Sequence, residues 1–368
     1  MVTYRPTLAV HCIWHPGLAL DEDYGNALFA HLFEDPGELG APGLRIPVRL
    51  WRTDPPPDIS KLTGAERNVA VVLIDDSVVG ASGWRGWLDA LHRRVRPPDL
   101  LLPVSLSAEA PKIQSTIAKC NFIRLHKVER EARVDVFLNR VTHALCRMLV
   151  GTKDPVRVFL SHAKLDGEPI AKHVRDFLRD GTGVDDFFDA QDILEGEDWG
   201  AAITVASGRD VMLAILTDAY ATREWCRTEV LNAKLAGAAV VVLDALEKGE
   251  KRSFSYLGNT PSVRWWQDRS AHGMEALLGV LLKETLRFRH FPIRVSDICR
   301  AHGRPNPHHV LPAPPELLTV LRVRDAEIAG HRLLVYPDPP VGTEELRLVS
   351  ELVPDLEPVT PTTLVAWR

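Results

Sequence analysis

Much that would narrow the function at once is missing from this chain. No apolar run reaches the ~20 residues needed to span a membrane as a helix. The opening stretch MVTYRPTLAVHCIWHPG has no basic region followed by a long apolar core, so no secretory signal is expected. Cysteines number only five, at Cys12, Cys120, Cys146, Cys226 and Cys299. They are scattered and no CxxC pair occurs, which excludes a disulfide framework and a zinc ribbon. Free thiols buried in a reducing cytoplasm are the expectation. Neither sign of charge dominates, with 44 Lys+Arg against 49 Asp+Glu and a net charge of -5. Direct nucleic-acid binding and membrane binding are therefore not expected. There is no GxxxxGK[ST] phosphate loop and no GxGxxG, so a nucleotide kinase and a dehydrogenase lack support. No fixed-period repeat indicates a solenoid.

What is present is ordinary globular composition, 45% hydrophobic and 25% charged over 368 residues. That length suggests two or three domains. The first segment, residues 1–150, alternates apolar runs with helical stretches. Strands are expected at Leu8–Trp14, Ile46–Trp51, Asn68–Ile74, Leu100–Ser105 and Phe122–Leu125. Helices are expected at Tyr24–Phe33 and from about Glu131 to Leu149. The second segment, 151–291, repeats the alternation. Strands are expected at Val156–Leu160, Val184–Phe188, Asp210–Leu216, Ala238–Leu243 and Val263–Trp266. Its helices are read at Gly167–Leu178 with Asp166 as cap, at Thr222–Leu235 with Thr222 as cap and Gly237 as stop, and at Gly273–Phe288. Strands alternating with helices imply a parallel sheet covered on both faces. The third segment, 292–368, opens in a Pro- and His-rich loop. Strands are read at Leu317–Val323, Arg332–Tyr336 and near Thr362–Trp367, with a helix at Thr343–Leu352. This makes it a small α/β extension packed on the second segment.

An internal likeness joins the first two segments. VAVVLIDDSVVGASGWRGWLDALHRR in the first and DVMLAILTDAYATREWCRTEVLNAK in the second both read as buried strand, polar turn, tryptophan and helix. Laying Trp84 on Trp225 sets Leu88 opposite Glu229.

Three motifs in the second segment carry chemistry. Val158-Phe159-Leu160-Ser161-His162 is a buried strand ending in a polar pair. Phe187-Phe188-Asp189 is followed by the polar run Ala190–Trp199. The third is Trp225-Cys226-Arg227-Thr228-Glu229. Ligands of parallel sheets bind beyond the carboxyl ends of the strands, where Ser161, His162, Asp189 and Asp218 stand. Trp225 and Glu229 are four apart, one turn along one helix face. In order and spacing, the three motifs resemble those of TIR (Toll/interleukin-1 receptor) domains of the bacterial NAD-cleaving effector type. The resemblance spans about 140 residues, extends faintly to the first segment and does not reach the third.

That resemblance implies a flavodoxin-like, doubly wound parallel sheet, with the first segment a degenerate duplicate. It implies NAD+ as substrate, no resident cofactor, and Glu229 of the WCxxE segment as the catalytic residue. Cleaving nicotinamide from ribose needs little acid help, because the leaving group departs neutral. The oxocarbenium-like ribose left behind is what needs a carboxylate. Without the resemblance, Glu229 reads as a solvated helix-surface glutamate. Ser161, His162, Asp189, Trp199 and Trp225 are the candidate substrate-binding residues. Each also has a plainer role: capping near Gly167 for Ser161 and His162, ordering a loop for Asp189, packing for the two tryptophans. Cys226 reads as packing, since nothing near it in sequence lowers its pKa. Cys299, His302, His308 and His309 match no compact zinc spacing, so no metal is expected.

The function expected is an NAD+ glycohydrolase, an anti-phage effector of the cytoplasm activated by assembly. A cyclase making cyclic ADP-ribose and a non-enzymatic TIR adaptor or partner-binding subunit are the alternatives. Expected partners are NAD+, other copies through TIR self-association, and a defence-system protein. In enzymes of this resemblance the loop corresponding to Asp192–Trp199 of one subunit completes the pocket of the next.

Overall fold

The computed structural model describes residues 5–18, 23–34, 43–152, 154–179, 187–189, 210–249, 254–265, 271–325 and 332–366. The chain divides into two compact units, Met1–Val141 and Thr142–Arg368. No helix among the described residues is long and apolar enough to cross a membrane.

In the first unit β1 (Leu8–Trp14), β2 (Val48–Arg52), β3 (Arg67–Ile74), β4 (Leu100–Ser105) and β5 (Ile123–Arg124) form one parallel sheet in the order β2-β1-β3-β4-β5. From Asn68 to Ile74 every residue of β3 is buried, as its unbroken apolar run requires when both faces are covered. The helices are α1 (Tyr24–Leu32), α2 (Asp76–Gly80), α3 (Ser82–Arg94) and α4 (Arg133–Val150), the last running across the division at residue 141. α3 buries Trp84, Leu88 and Leu91, a stripe spaced by four and three.

Asp89, next to that stripe, accepts from the backbone N–H of Thr116 at 2.6 Å, from Ser115 Oγ at 2.7 Å and from Thr116 Oγ1 at 2.9 Å. These bonds, the backbone one first, hold its carboxyl down at about 2. A depressed carboxylate contributes its stability above the unfolded pKa and loses it as pH falls through the folded one. The stability gap between wild type and Asp89→Asn is therefore expected to close between ~4 and ~2. Urea titrations at a series of pH values check this. A gap unchanged across that window contradicts it.

In the second unit β6 (Arg157–His162), β7 (Phe187–Asp189), β8 (Asp210–Leu216), β9 (Ala239–Asp244) and β10 (Ser262–Arg264) form a parallel sheet in the order β10-β9-β8-β6-β7. Counted from the first strand of each unit, both sheets run 2-1-3-4-5, the flavodoxin-like order. α5 (Glu168–Arg179), α6 (Glu224–Leu235) and α7 (Ala271–Ala301) accompany this second sheet. A three-stranded parallel sheet follows, β11 (His309–Val310), β12 (Arg332–Val335) and β13 (Leu356–Val359), with α8 (Leu317–Asp325), α9 (Thr343–Leu352) and α10 (Pro361–Ala366).

Several expectations fail in instructive ways. Leu317–Val323 is a helix, not a strand. Its β-branched residues suggested a strand, yet Val320 and Val323 alone are buried there, at helical spacing. The C-terminal Thr362–Trp367 run is helical up to Ala366, and the strand lies just before it at Leu356–Val359. Thr360 starts that helix, its backbone N–H bonded to Thr363 Oγ1 at 2.8 Å, and Pro361 follows where a proline costs no hydrogen bond. The helix expected to end at Phe288 continues through Pro292 to Ala301. Phe291, Val295 and Cys299, spaced by four, pack on Leu333, Val335 and Val359 of the small sheet. That burial outweighs the backbone bond lost at Pro292.

Both cap assignments in the second unit also change. Asp166 does not cap α5; its carboxylate accepts from Thr217 Oγ1 at 2.6 Å and Ala219 N–H at 2.9 Å, tying the loop after β6 to the loop after β8. Thr222 donates to Ala219 O at 2.6 Å, and Arg223 occupies the N-cap of α6 with no side-chain bond. Gly237 ends α6 as expected, at φ +76°, where a side chain would be strained.

Candidate functional site

In a sheet of order 2-1-3-4-5 the loops after the first and third strands leave to opposite faces, and the crevice between them is the usual ligand site. Here those strands are β6 and β8, paired with Ser161 opposite Ala214. Successive side chains of a strand alternate between faces. Phe159 joins the apolar cluster of α6, with Tyr220, Cys226, Val230 and Ala233. Ser161, two residues on, lies on the same face and so also meets α6.

What it meets is Glu229. The Ser161 hydroxyl donates to Glu229 Oε2 through a short hydrogen bond. Tyr220 Oη lies 2.7 Å from Ser161 Oγ. Ser161, Glu229 and Tyr220 are all buried, with Glu229 only 3% exposed. The reading of Glu229 as a solvated surface residue is thereby overturned. On α6 it belongs to the inward stripe Cys226, Glu229, Val230 and Ala233. Burial pushes the Tyr220 phenol well above its usual range, and the neighbouring Glu229 adds to this. Tyr220 therefore keeps its proton, and can donate to Ser161 while Ser161 donates to the carboxylate. The chain of donors ends on Glu229. Burial, with Glu229 second, also lifts the Cys226 thiol to about 12, so it stays an inert packing group.

His162, one residue past Ser161, projects to the other face by the same alternation, so the polar pair does not act together. Its Nε2 is buried and finds no hydrogen-bond partner among the described residues. Asp189 ends β7 with its Cα opposite Leu160, one step short of Ser161. Trp225 is 56% exposed on the first turn of α6. Trp199 and the rest of the Asp192–Trp199 run lie outside the described residues. Asp218 holds the loop after β9: it accepts from the backbone N–H groups of Glu247, Lys248 and Gly249 at 3.1–3.2 Å. Sequence reasoning missed Tyr220 altogether, although its position four residues past the end of β8 was legible.

Removing these donors should have graded effects on stability. Tyr220→Phe deletes one neutral bond, a loss of ~1 kcal/mol, whereas Ser161→Ala strips a buried carboxylate of a donor and costs ~2–3 kcal/mol. Urea denaturation of the two variants checks the order. A costlier Tyr220→Phe than Ser161→Ala means the chain does not run towards Glu229.

Among its described residues the first unit holds no such group. The buried stripe Trp84, Leu88, Leu91 of α3 has the spacing of Cys226, Val230, Ala233 in α6. On that register the strand ends Ile74 and Leu216 coincide, as do the helix starts Ser82 and Glu224. The equivalence of Trp84 with Trp225 is thus off by one residue: Trp84 is fully buried and Trp225 is exposed. Glu229 then stands opposite Trp87, not Leu88, and Tyr220 opposite Val78. Ile13 pairs with Val72 as Ser161 pairs with Ala214, so Ile13 takes the place of Ser161. Ile13, Val78 and Trp87 belong to one apolar cluster. Trp87 satisfies its indole N–H on Pro57 O at 2.6 Å.

Among comparisons with known proteins, the family model described as TIR domain matches residues 158–278. That stretch contains β6 but for Arg157, all of α6 and the whole Ser161–Tyr220–Glu229 group. No curated protein matches the chain. Among solved structures, the tagatose-6-phosphate ketose/aldose isomerase of Escherichia coli matches over 77% of this chain and 82% of its own, at 10% identity and a TM-score of 0.22. A likeness that low carries no argument.

Proposed function

From the premise that this chain carries a TIR domain over residues 158–278, we propose that it cleaves the nicotinamide–ribose bond of NAD+ with Glu229 as catalytic carboxylate. TIR domains serve as NAD-cleaving enzymes or as signalling adaptors. One observation favours the enzyme: a carboxylate buried at the switch point of the sheet and held by a two-hydroxyl chain, Tyr220 to Ser161 to Glu229. An adaptor surface gains nothing from a glutamate that is 3% exposed. Burying a charge is costly, and sites that retain one commonly use it.

The chemistry asks little more of the protein. As the C–N bond breaks, nicotinamide leaves neutral and positive charge develops on the ribose. A carboxylate within contact, in a site of low effective dielectric, stabilises that charge strongly. The hydroxyl chain fixes the rotamer of Glu229 in advance, so little reorganisation accompanies the reaction. Water as the acceptor yields ADP-ribose; attack by an adenine nitrogen of the same molecule yields the cyclic product. The indole of Trp225, exposed one turn before Glu229, offers a face to the cationic nicotinamide ring.

The same burial speaks for latency. A carboxylate with almost no accessible surface cannot touch a ribose until the chain around it moves. Assembly between copies is the trigger we propose. Leu165, 72% exposed in the loop after β6, and the exposed Trp225 supply apolar surface for such contacts. The first unit, with the same strand order but Ile13, Val78 and Trp87 in place of the polar trio, fits a degenerate copy that contributes no chemistry. Purified full-length protein incubated with NAD+ tests the reading, with chromatography of nicotinamide, ADP-ribose and cyclic ADP-ribose. Nicotinamide should appear in step with one of the two nucleotides. Absence of nicotinamide at every protein concentration, including assembled material, decides for the adaptor.

A further inference from the structure

A cavity of about 280 Å³ lies at the opposite end of the sheet from Ser161. One wall is built from the end of α6, the helix that carries Glu229, and the start of β9. The other comes from α7 and from the stretch that leads into α8. Phe288, Pro292, Leu311, Pro312 and Pro314 make much of that wall apolar.

Four charged side chains line the cavity, Lys234, Glu284, Glu316 and Arg322. Three of them are neutralised where they stand. Lys234 Nζ donates to Glu316 Oε1 at 2.6 Å, both side chains being largely buried. Glu284 is paired at 3.1 Å with Nε of Arg287, a cation outside the lining. Arg322 is the exception. Among the described residues it pairs with no carboxylate, and its one hydrogen bond runs from Nη1 to Leu235 O at 2.7 Å. That bond completes the end of α6. The carbonyls of Asn232, Ala233 and Lys234 already accept from the N–H groups of Ala236, Ala238 and Gly237 at 2.8–3.0 Å. The helix end therefore asks for no further donor. A guanidinium has five N–H donors and keeps its charge at any ordinary pH. Exposed Arg322 thus holds a full positive charge and four N–H donors beside a cavity whose other charges cancel.

Charge and wall select a ligand together. A lone guanidinium calls for one negative charge, and its planar fork matches a carboxylate through two parallel bonds. The apolar wall calls for an apolar body, which on binding also keeps water from the ion pair and strengthens it. The volume lies just under the ~300–1,000 Å³ typical of small-molecule sites, so that body is compact. We propose that this cavity binds a small monocarboxylate with an apolar body, its carboxylate forked on Arg322 and its body against Phe288 and the prolines.

Titration calorimetry of the full chain tests the proposal with two acids, 3-phenylpropionate and hexanoate. Three controls accompany them: 3-phenylpropanol has the body without the charge, and acetate and inorganic phosphate have the charge without the body. At least one acid should bind saturably, with a Kd on the order of 0.1–1 mM. Each control should bind ~10-fold more weakly or worse. Arg322→Gln, at an exposed position, should weaken the bound acid to the level of the alcohol. Ala313→Phe, which adds bulk at the proline-rich wall and leaves Arg322 in place, should abolish binding, so the test does not hang on one variant. Four results overturn the proposal. The first is no saturable heat with either acid up to ~5 mM. The second is an alcohol that binds as tightly as its acid, which leaves the charge no part. The third is acetate or phosphate bound as tightly as the acids, which makes this a plain anion site. The fourth is acid binding unchanged in Arg322→Gln or in Ala313→Phe, which puts the ligand elsewhere.

Discussion

Glu229→Gln is expected to lower NAD+ cleavage by ~10³-fold or more while the protein stays folded. The amide matches the carboxylate in size, and its oxygen still accepts from Ser161. On the proposed mechanism, what disappears is the negative charge that would face the developing oxocarbenium ion. Stability should fall modestly, by ~1–3 kcal/mol, because a hydrogen bond to a charged acceptor becomes one to a neutral group. Glu229→Ala is the poorer control. It leaves the Ser161 hydroxyl unpaired beside a void, in a position with 3% exposure, so folding and chemistry would suffer together. Nicotinamide release and urea denaturation on the same preparation separate the two effects. A folded Glu229→Gln protein with full turnover would remove Glu229 from the mechanism.

The second large effect expected is on concentration. If contacts between copies uncover and complete the site, specific activity rises with protein concentration, on the order of 10²-fold between monomeric and assembled protein. A head-to-tail contact of the kind in which one subunit finishes the pocket of the next builds open filaments or rings. Leu165→Glu, which places a charge on an exposed apolar residue, should lower assembly and activity together and leave monomer stability within ~0.5 kcal/mol of wild type. Light scattering alongside the assay is the measurement. Constant specific activity over a wide dilution series of protein that stays monomeric would show that each copy is competent alone.

The sequence by itself determined the alternation of buried strands and amphipathic helices in both units. Apolar, β-branched runs such as Asn68–Ile74 read as strands covered on both faces, and period 3.6 marks the helices between them. It also singled out Glu229, through the likeness of its WCxxE segment to TIR domains, and read Cys226 as a packing residue, which is buried in the structure. Its failures cluster where local signals conflict. Leu317–Val323 has β-branched residues in a helix, and Pro292 sits within a helix that long-range packing by Phe291, Val295 and Cys299 extends.

Tertiary structure alone decided what surrounds Glu229. A glutamate one turn after a tryptophan is inward or outward according to which stripe the helix buries, and that depends on the sheet beneath it. Ser161, Tyr220 and Glu229 are brought together by strand order and by alternation along β6, neither of which leaves a local trace. Nor could spacing alone separate a register set by the tryptophans from the one set by burial. A shift of one residue along α3 puts Trp87, rather than Leu88, where Glu229 stands. Helical periodicity does not say which of two neighbouring residues faces the sheet when both are apolar; contact with β1 and β3 settles it.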